Sequence, residues 1–140
     1  MDGPDPGAPG PGSASQKARA RILLVEDDAD LRESLCKVLE EAGYEVDGVR
    51  NGQEALEYLH REQPPCVVLL DLMMPVMTGW EFRDAQRGDP ALSDIPVVIL
   101  TADGRAQSKA DSLGVGKFLR KPVQLEELLG TVRSFQCGAS

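Results

Sequence analysis

Continuous apolar runs recur along the chain as Ile22-Leu23-Leu24-Val25, Cys66-Val67-Val68-Leu69-Leu70 and Pro96-Val97-Val98-Ile99-Leu100. Runs this short, with no polar interruption, predict strands buried on both faces. Helical spacing fills the intervals between them. Leu31, Leu35, Val38 and Leu39 predict a first helix stopped by Gly43, and Tyr44 to Val49 predicts a second strand. Asn51-Gly52 turns into a helix carrying Ala55, Leu56 and Leu59, which Pro64-Pro65 ends. Thr78 to about Arg87 predicts a third helix, closed by Gly88-Asp89-Pro90. A short helix near Ala106 to Leu113 stops at Gly114, Lys117-Phe118-Leu119 makes a brief fifth strand, and Lys121-Pro122 turns the chain. The last helix, from about Gln124 to Phe135, places Leu125, Leu128, Leu129 and Val132 on one face. Five strands alternating with five helices imply an α/β fold: a doubly wound parallel sheet covered on both sides.

Composition narrows this picture. The 140 residues suit one domain of ordinary size. Aromatics make up only 4%, so the core is aliphatic. Residues 1–19 are dominated by Gly, Pro, Ala and Ser, have nothing to bury, and predict a disordered tail. Gly10-Pro11-Gly12 lacks the Lys-Ser/Thr pair of a phosphate loop. The expected domain is therefore 20–136, followed by a short tail over 137–140 with no output domain after it. With 23 acids against 15 bases the formal charge is −8, which excludes a basic nucleic-acid face and gives no attraction to anionic membranes. No stretch approaches a membrane span or a secretory signal. Cys36, Cys66 and Cys137 form an odd set without a CxxC pair and read as reduced thiols of a cytoplasmic protein.

In a parallel sheet all carboxyl ends lie along one edge, where ligand chemistry gathers at the topological switch point. Strand one ends in Glu26 and Asp27, strand three in Asp71 and strand four in Thr101, while Lys121 follows strand five. Three carboxylates in a partly buried cleft repel one another, and a hard divalent cation relieves them; carboxylates with a carbonyl and water suit Mg²⁺. Mg²⁺ and protonated Lys121 together balance the three acids. A phosphoryl group can then share its oxygens among metal, Lys121 and the Thr101 hydroxyl while Asp71 supplies the nucleophilic oxygen.

From about Ala20 to Gln136 the chain resembles a response-regulator receiver domain of two-component signalling, of the single-domain chemotaxis type. The matching pieces are Ile22-Leu23-Leu24-Val25-Glu26-Asp27-Asp28, Leu70-Asp71-Leu72-Met73-Met74-Pro75, Met77-Thr78-Gly79, Thr101-Ala102 and Lys121-Pro122, in order and at matching spacings. The resemblance implies a flavodoxin-like sheet of strand order 2-1-3-4-5. It makes Asp71 the phosphoacceptor, charged from a phosphohistidine on a sensor histidine kinase or a histidine phosphotransfer protein. Asp27, Asp71 and the Met73 carbonyl would ligate Mg²⁺, with Glu26 acting mostly through water. Thr101 and Lys121 would hold the phosphoryl oxygens, and Phe118 would occupy the aromatic switch position coupled to Thr101. Asp28 would cap helix one, although the acid pair can also be read as Asp27-Asp28. The span from Thr101 to Lys121 is shorter than in many members, which predicts a short or irregular helix four, and Val123 stands where an aromatic is common.

Blander readings apply elsewhere. Glu54, Glu57 and Glu126 read as solvated helix faces and His60 as a surface position. Met73, Met74 and Met77 read as packing for the loop after strand three, and Trp80 as cover for the base of helix three. Asp103 and Met73 flank the expected water path. Two other functional readings compete with the signalling switch. One is an aspartate-nucleophile phosphatase of the dehalogenase type, which needs an acid where Met73 stands. The other is a receiver that serves only for docking, which the filled reactive positions oppose. The downstream protein target is not legible in the sequence.

Overall fold

The computed structural model describes residues 20–135 except 75, 103 and 104. The two tails, Cys137, Gln136 and Asp103 lie outside the described residues. Five strands, β1 (Arg21–Val25), β2 (Glu45–Val49), β3 (Val67–Asp71), β4 (Val97–Thr101) and β5 (Lys117–Arg120), alternate with α1 (Ala29–Glu41), α2 (Gly52–Arg61), α3 (Gly79–Arg87), α4 (Ala106–Ser112) and α5 (Leu125–Ser134). All strand pairs are parallel, in the order β2-β1-β3-β4-β5. The expected fold class is thus the observed one.

Alternation along the central strands explains the layers. Leu23, Val25, Val68 and Leu70 point to one face, where Ala55, Tyr58 and Leu59 of α2 and Phe82 of α3 cover them. Ile22, Leu24, Val67 and Leu69 point to the other, against Leu35 and Leu39 of α1 and Leu128 and Val132 of α5. β3 and β4 are buried at every position. Full burial of each such aliphatic side chain contributes roughly 1.5–3 kcal/mol, so the centre of the sheet is the rigid part of the molecule.

The edges differ from the sequence reading. β2 starts at Glu45 and is largely exposed because it has a neighbour on one side only; Tyr44, just before it, is buried. Leu125 is half exposed rather than part of the apolar face of α5, because it is the first residue of that helix and lies beyond the reach of the sheet. β3 runs to Asp71 itself, and Cys66 precedes it. Cys66 is only half-buried and is disulfide-bonded, against the reduced-thiol expectation, whereas Cys36 is free. α4 is short, as expected, and its N-terminus has no side-chain cap.

Candidate functional site

Each functional side chain is placed by the end of a strand or by the turn that follows it. Register sets Val25 beside Leu70, Asp71 beside Leu100 and Thr101 beside Arg120. Glu26, Asp71, Thr101 and Lys121 therefore emerge along one edge. The Lys121 N–H donates to the Thr101 carbonyl at 2.9 Å, which ties the last two of these together through the backbone. The close packing of α3 on β3 fixes Asp71 further. The Gly79 N–H donates to the Leu72 carbonyl at 3.0 Å, and a Cβ on Gly79 would sit 2.9 Å from the Leu72 Cα and 3.0 Å from the Asp71 carbonyl oxygen. A side chain there has to displace the loop that follows β3, so glycine is required. Thr78 caps α3 in a reciprocal capping box with Glu81, and Asp28 caps α1 through Leu31, as expected.

Glu26 and Asp71 are almost fully buried, whereas Asp27 is exposed. One carboxylate oxygen from each of the three lies within 4.8 Å of the others. Lys121 Nζ stands 2.9 Å from Glu26 Oε1 and 3.4 Å from Asp71 Oδ1. Asp71 Oδ1 also accepts the Met73 N–H at 3.2 Å. Burial first, then the Glu26 charge, pushes the Asp71 carboxyl up to about 7; Lys121 and the Met73 N–H oppose the rise without cancelling it. For Lys121, burial pulls the pKa down, but the Glu26 and Asp71 carboxylates outweigh it and the net direction is up. Lys121 is thus a fixed cation.

The donor set fits a hard divalent cation. Three acids converge on one point while a single lysine balances them. Glu26 Oε1 is buried and, although ion-paired with Lys121, makes no aligned hydrogen bond. That oxygen and the exposed Asp27 carboxylate are available to a cation that prefers oxygen ligands.

Thr101 is buried and lines a cleft of about 350 Å³ with Leu72, Met73, Trp80, Ala102 and Lys109. Phe118, half-buried, sits beside Ile99 in the sheet register and packs on the α2–α3 side of the core. The methionines divide: Met74 is buried and Met77 packs on the core, but Met73 is 71% exposed and does not pack the loop as expected. It lies two residues past the end of β3 and lines the cleft with Thr101 and Trp80. Val76, three residues on, is 80% exposed and has a φ of 68°, a strained conformation for a β-branched residue.

Other outlying residues also resolve. His60 is exposed and pairs with Asp89 at 3.0 Å. Glu57 and Glu126 are exposed. Glu54 is not merely solvated: it accepts the Arg50 N–H at 2.8 Å and pairs with the Arg50 guanidinium, because it sits one turn into α2 facing the preceding loop. Trp80 is half-buried in the first turn of α3, with Lys109 Nζ 4.8 Å above its ring. Sequence reasoning missed the direct Lys121–Glu26 pair, and it missed Arg32, whose Nη1 donates to the Glu26 carbonyl at 2.8 Å. A basic residue one turn into the helix after an acid pair was the only available signal for the second.

A five-stranded parallel sheet of this order, with acids and a lysine gathered at its carboxyl edge, defines a flavodoxin-like receiver fold. The chain belongs to the response regulator receiver domain family, which it matches over residues 22–133. It is 41% identical over 118 residues to response regulator MprA of Mycobacterium leprae (strain TN), covering 81% of this chain and 50% of that protein. It is 37% identical over 116 residues to response regulator Rre1 of Synechocystis sp. (strain ATCC 27184 / PCC 6803 / Kazusa), again covering 81% of this chain and 50% of the relative. The chain spans about half the length of these curated relatives. Among solved structures, the chemotaxis protein CheY4 of Vibrio cholerae superposes with a TM-score of 0.76 at 32% identity, covering 84% of this chain and 98% of that one. The signal receiver domain of a histidine kinase from Syntrophus aciditrophicus gives 0.76 at 34% identity, covering 86% and 92%. This chain is a receiver domain of a two-component response regulator. Receiver domains generally bind Mg²⁺ and interact with histidine kinases or phosphotransfer proteins and with downstream targets. Among the described residues, no helix is long and apolar enough to cross a membrane.

Proposed function

We propose that Asp71 is a phosphoacceptor charged from the phosphohistidine of a sensor histidine kinase or phosphotransfer protein, in a reaction that requires Mg²⁺. One observation carries the reading: Asp71 ends a fully buried strand with Lys121 at 3.4 Å and two further carboxylates within 4.8 Å. Glu26, Asp27, Asp71 and the Met73 carbonyl would hold the ion. When bound, Mg²⁺ supplies charge neutralisation for the acids and for the phosphoryl oxygens.

The chain's own residues supply the rest. An Asp71 oxygen forms a P–O bond as the P–N bond to the donor imidazole breaks, and the imidazole leaves with that bond's electron pair. Asp71 must be ionised to attack, and Lys121 and the Met73 N–H favour the ionised form. Lys121 and Thr101 hold phosphoryl oxygens. Thr101 drawn toward the phosphoryl group, with Phe118 changing its burial beside it, biases a two-state equilibrium of the surface formed by α4, β5 and α5. The product is a switch in a phosphorelay, which acts in the cytoplasm on a downstream protein and not on nucleic acid or membrane. It catalyses only its own phosphorylation and dephosphorylation.

The contrast with an aspartate-nucleophile phosphatase rests on Met73. It stands two positions after Asp71, and its exposed thioether neither donates a proton nor activates water. Incubation with acetyl phosphate and Mg²⁺ tests the difference. Uptake should stop at one phosphoryl group per chain, with no sustained release of phosphate from generic monoesters. Continuous turnover of such monoesters would support the phosphatase instead.

A further inference from the structure

We propose that Arg32 is a positioning residue for the acidic pocket, acting through the main chain of Glu26. This inference rests on the reading of that pocket as a Mg²⁺ site. The Arg32 guanidinium donates to the Glu26 carbonyl at 2.8 Å, from one turn inside α1. The Glu26 N–H, on the other side of the residue, donates to the Val49 carbonyl at the end of β2 at 3.0 Å. Both peptide groups flanking the Glu26 side chain are therefore tethered. The carbonyl held by Arg32 belongs to the peptide that joins Glu26 to Asp27, so the guanidinium sets the plane of that peptide. Two of the three converging carboxylates project from the residues it joins.

The neighbouring strand is cut to fit this arginine. Gly48 of β2 faces the Arg32 stem, and a Cβ there would sit 3.0 Å from its Cγ, 3.1 Å from its Cδ and 3.3 Å from the Cys36 sulfur. The absence of a side chain at Gly48 leaves the lane in which the arginine lies as it reaches back to the β1–α1 turn. Arg32 thus has a seat, a direction and a target, whereas an ordinary surface arginine has none of these. A point charge alone explains the arrangement poorly. A cation beside an acidic metal pocket opposes the binding of a second cation, so an arginine placed there on charge grounds would weaken the site. The fixed peptide is what outweighs that cost.

The two effects have opposite signs, and Mg²⁺ titration separates them. Trp80 is the only tryptophan and lines the cleft with Met73 and Thr101, so its fluorescence reports on the pocket; calorimetry gives an independent affinity. Removal of a group that orients metal ligands typically costs 10–100-fold in affinity, and because Arg32 acts through backbone the expected loss for Arg32→Ala is about 3–10-fold. Arg32→Lys should recover part of it. Gly48→Ala keeps the guanidinium and its charge but crowds the stem, and should weaken Mg²⁺ in the same direction. Unfolding in EDTA, read in parallel, shows whether each variant is folded where affinity is measured. Should Arg32→Ala be poorly folded, Gly48→Ala decides the matter. Unchanged or tighter Mg²⁺ binding in the folded variants, the direction that loss of charge alone produces, overturns the proposal. A wild-type chain that binds no Mg²⁺ instead removes the pocket reading beneath it.

Discussion

Asp71→Asn should make the metal-free chain more stable at neutral and alkaline pH while abolishing its uptake of a phosphoryl group. Burial and the Glu26 charge raise the Asp71 carboxyl from 3.8 to about 7 in the folded chain. Between those values the folded state binds more protons than the unfolded state. Stability therefore falls as pH rises through this window, and the loss is complete above the folded pKa. Asparagine has the same shape and no charge to bury, so the variant avoids the loss but gives up the pairing with Lys121. The net gain at pH 8 is about 1–3 kcal/mol, below the full linkage value because water relaxing around the exposed mouth of the pocket softens the strain; the attraction to Lys121 is already contained in the raised pKa. That corresponds to a rise of several degrees in Tm. Near pH 4 the wild-type carboxyl is protonated in the folded chain and the difference should vanish. Thermal unfolding in EDTA at both pH values measures this, and equal stability at pH 8 would show that Asp71 carries no electrostatic strain. Addition of Mg²⁺ should stabilise the wild type more than the variant, since the ion gains most where the carboxylates are complete.

Lys121→Met is expected to act in the opposite direction. The lysine is the cation nearest to the buried Glu26 and Asp71 carboxylates, at 2.9 and 3.4 Å. Removal of one partner of a buried pair strands the other, at a cost of about 3–5 kcal/mol when both are fully dry. Lys121 is 22% exposed at its side chain, so water reaches the pair and about 2–3 kcal/mol is the better expectation. The Asp71 carboxyl, freed from the lysine that holds it down, rises further, so the loss relative to wild type deepens as pH climbs above about 7. Mg²⁺ should restore part of it. Phosphorylation should slow by about 10²–10³-fold, the usual effect of deleting one group that stabilises transferring charge. In a cycle with Asp71→Asn, the double variant should be more stable than the sum of the single effects predicts, because one of the stranded acids is gone. Additive stabilities would mean that the two side chains do not interact.

The fold was legible because the central strands and their helices carry unambiguous periodicity. Cys66 to Leu70 and Pro96 to Leu100 admit no reading but a strand buried on both faces, and such strands force a parallel sheet whose acids share an edge. The pocket followed from that topology: once β1, β3, β4 and β5 are neighbours, Glu26, Asp71, Thr101 and Lys121 have one place to go. What escaped was set by contacts rather than by pattern. An edge strand such as β2 buries too little for its alternation to show, so its start was misplaced. Leu125 reads as apolar face until the helix is docked and its first residue turns out to overhang the sheet. Met73 was assigned to packing on residue type, which says nothing about whether another element lies above it. Arg32 and Gly48 are joined across two elements, and a glycine whose purpose is to leave room for an arginine is invisible until both are placed. The half-exposure of Cys66 likewise follows from its position just outside β3, not from its identity.

On this account the side chains of Glu26, Asp27, Asp71 and Lys121 form one magnesium-dependent site in which the Asp71 carboxylate becomes an acyl phosphate. Intact-mass measurement after treatment with acetyl phosphate, with Mg²⁺ and with EDTA, tests it most directly when followed by borohydride reduction to mark the acyl phosphate. The expected result is a single added phosphoryl group that needs Mg²⁺, marks Asp71 and disappears in Asp71→Asn. Phosphate carried on another residue, or uptake indifferent to Mg²⁺, would contradict it.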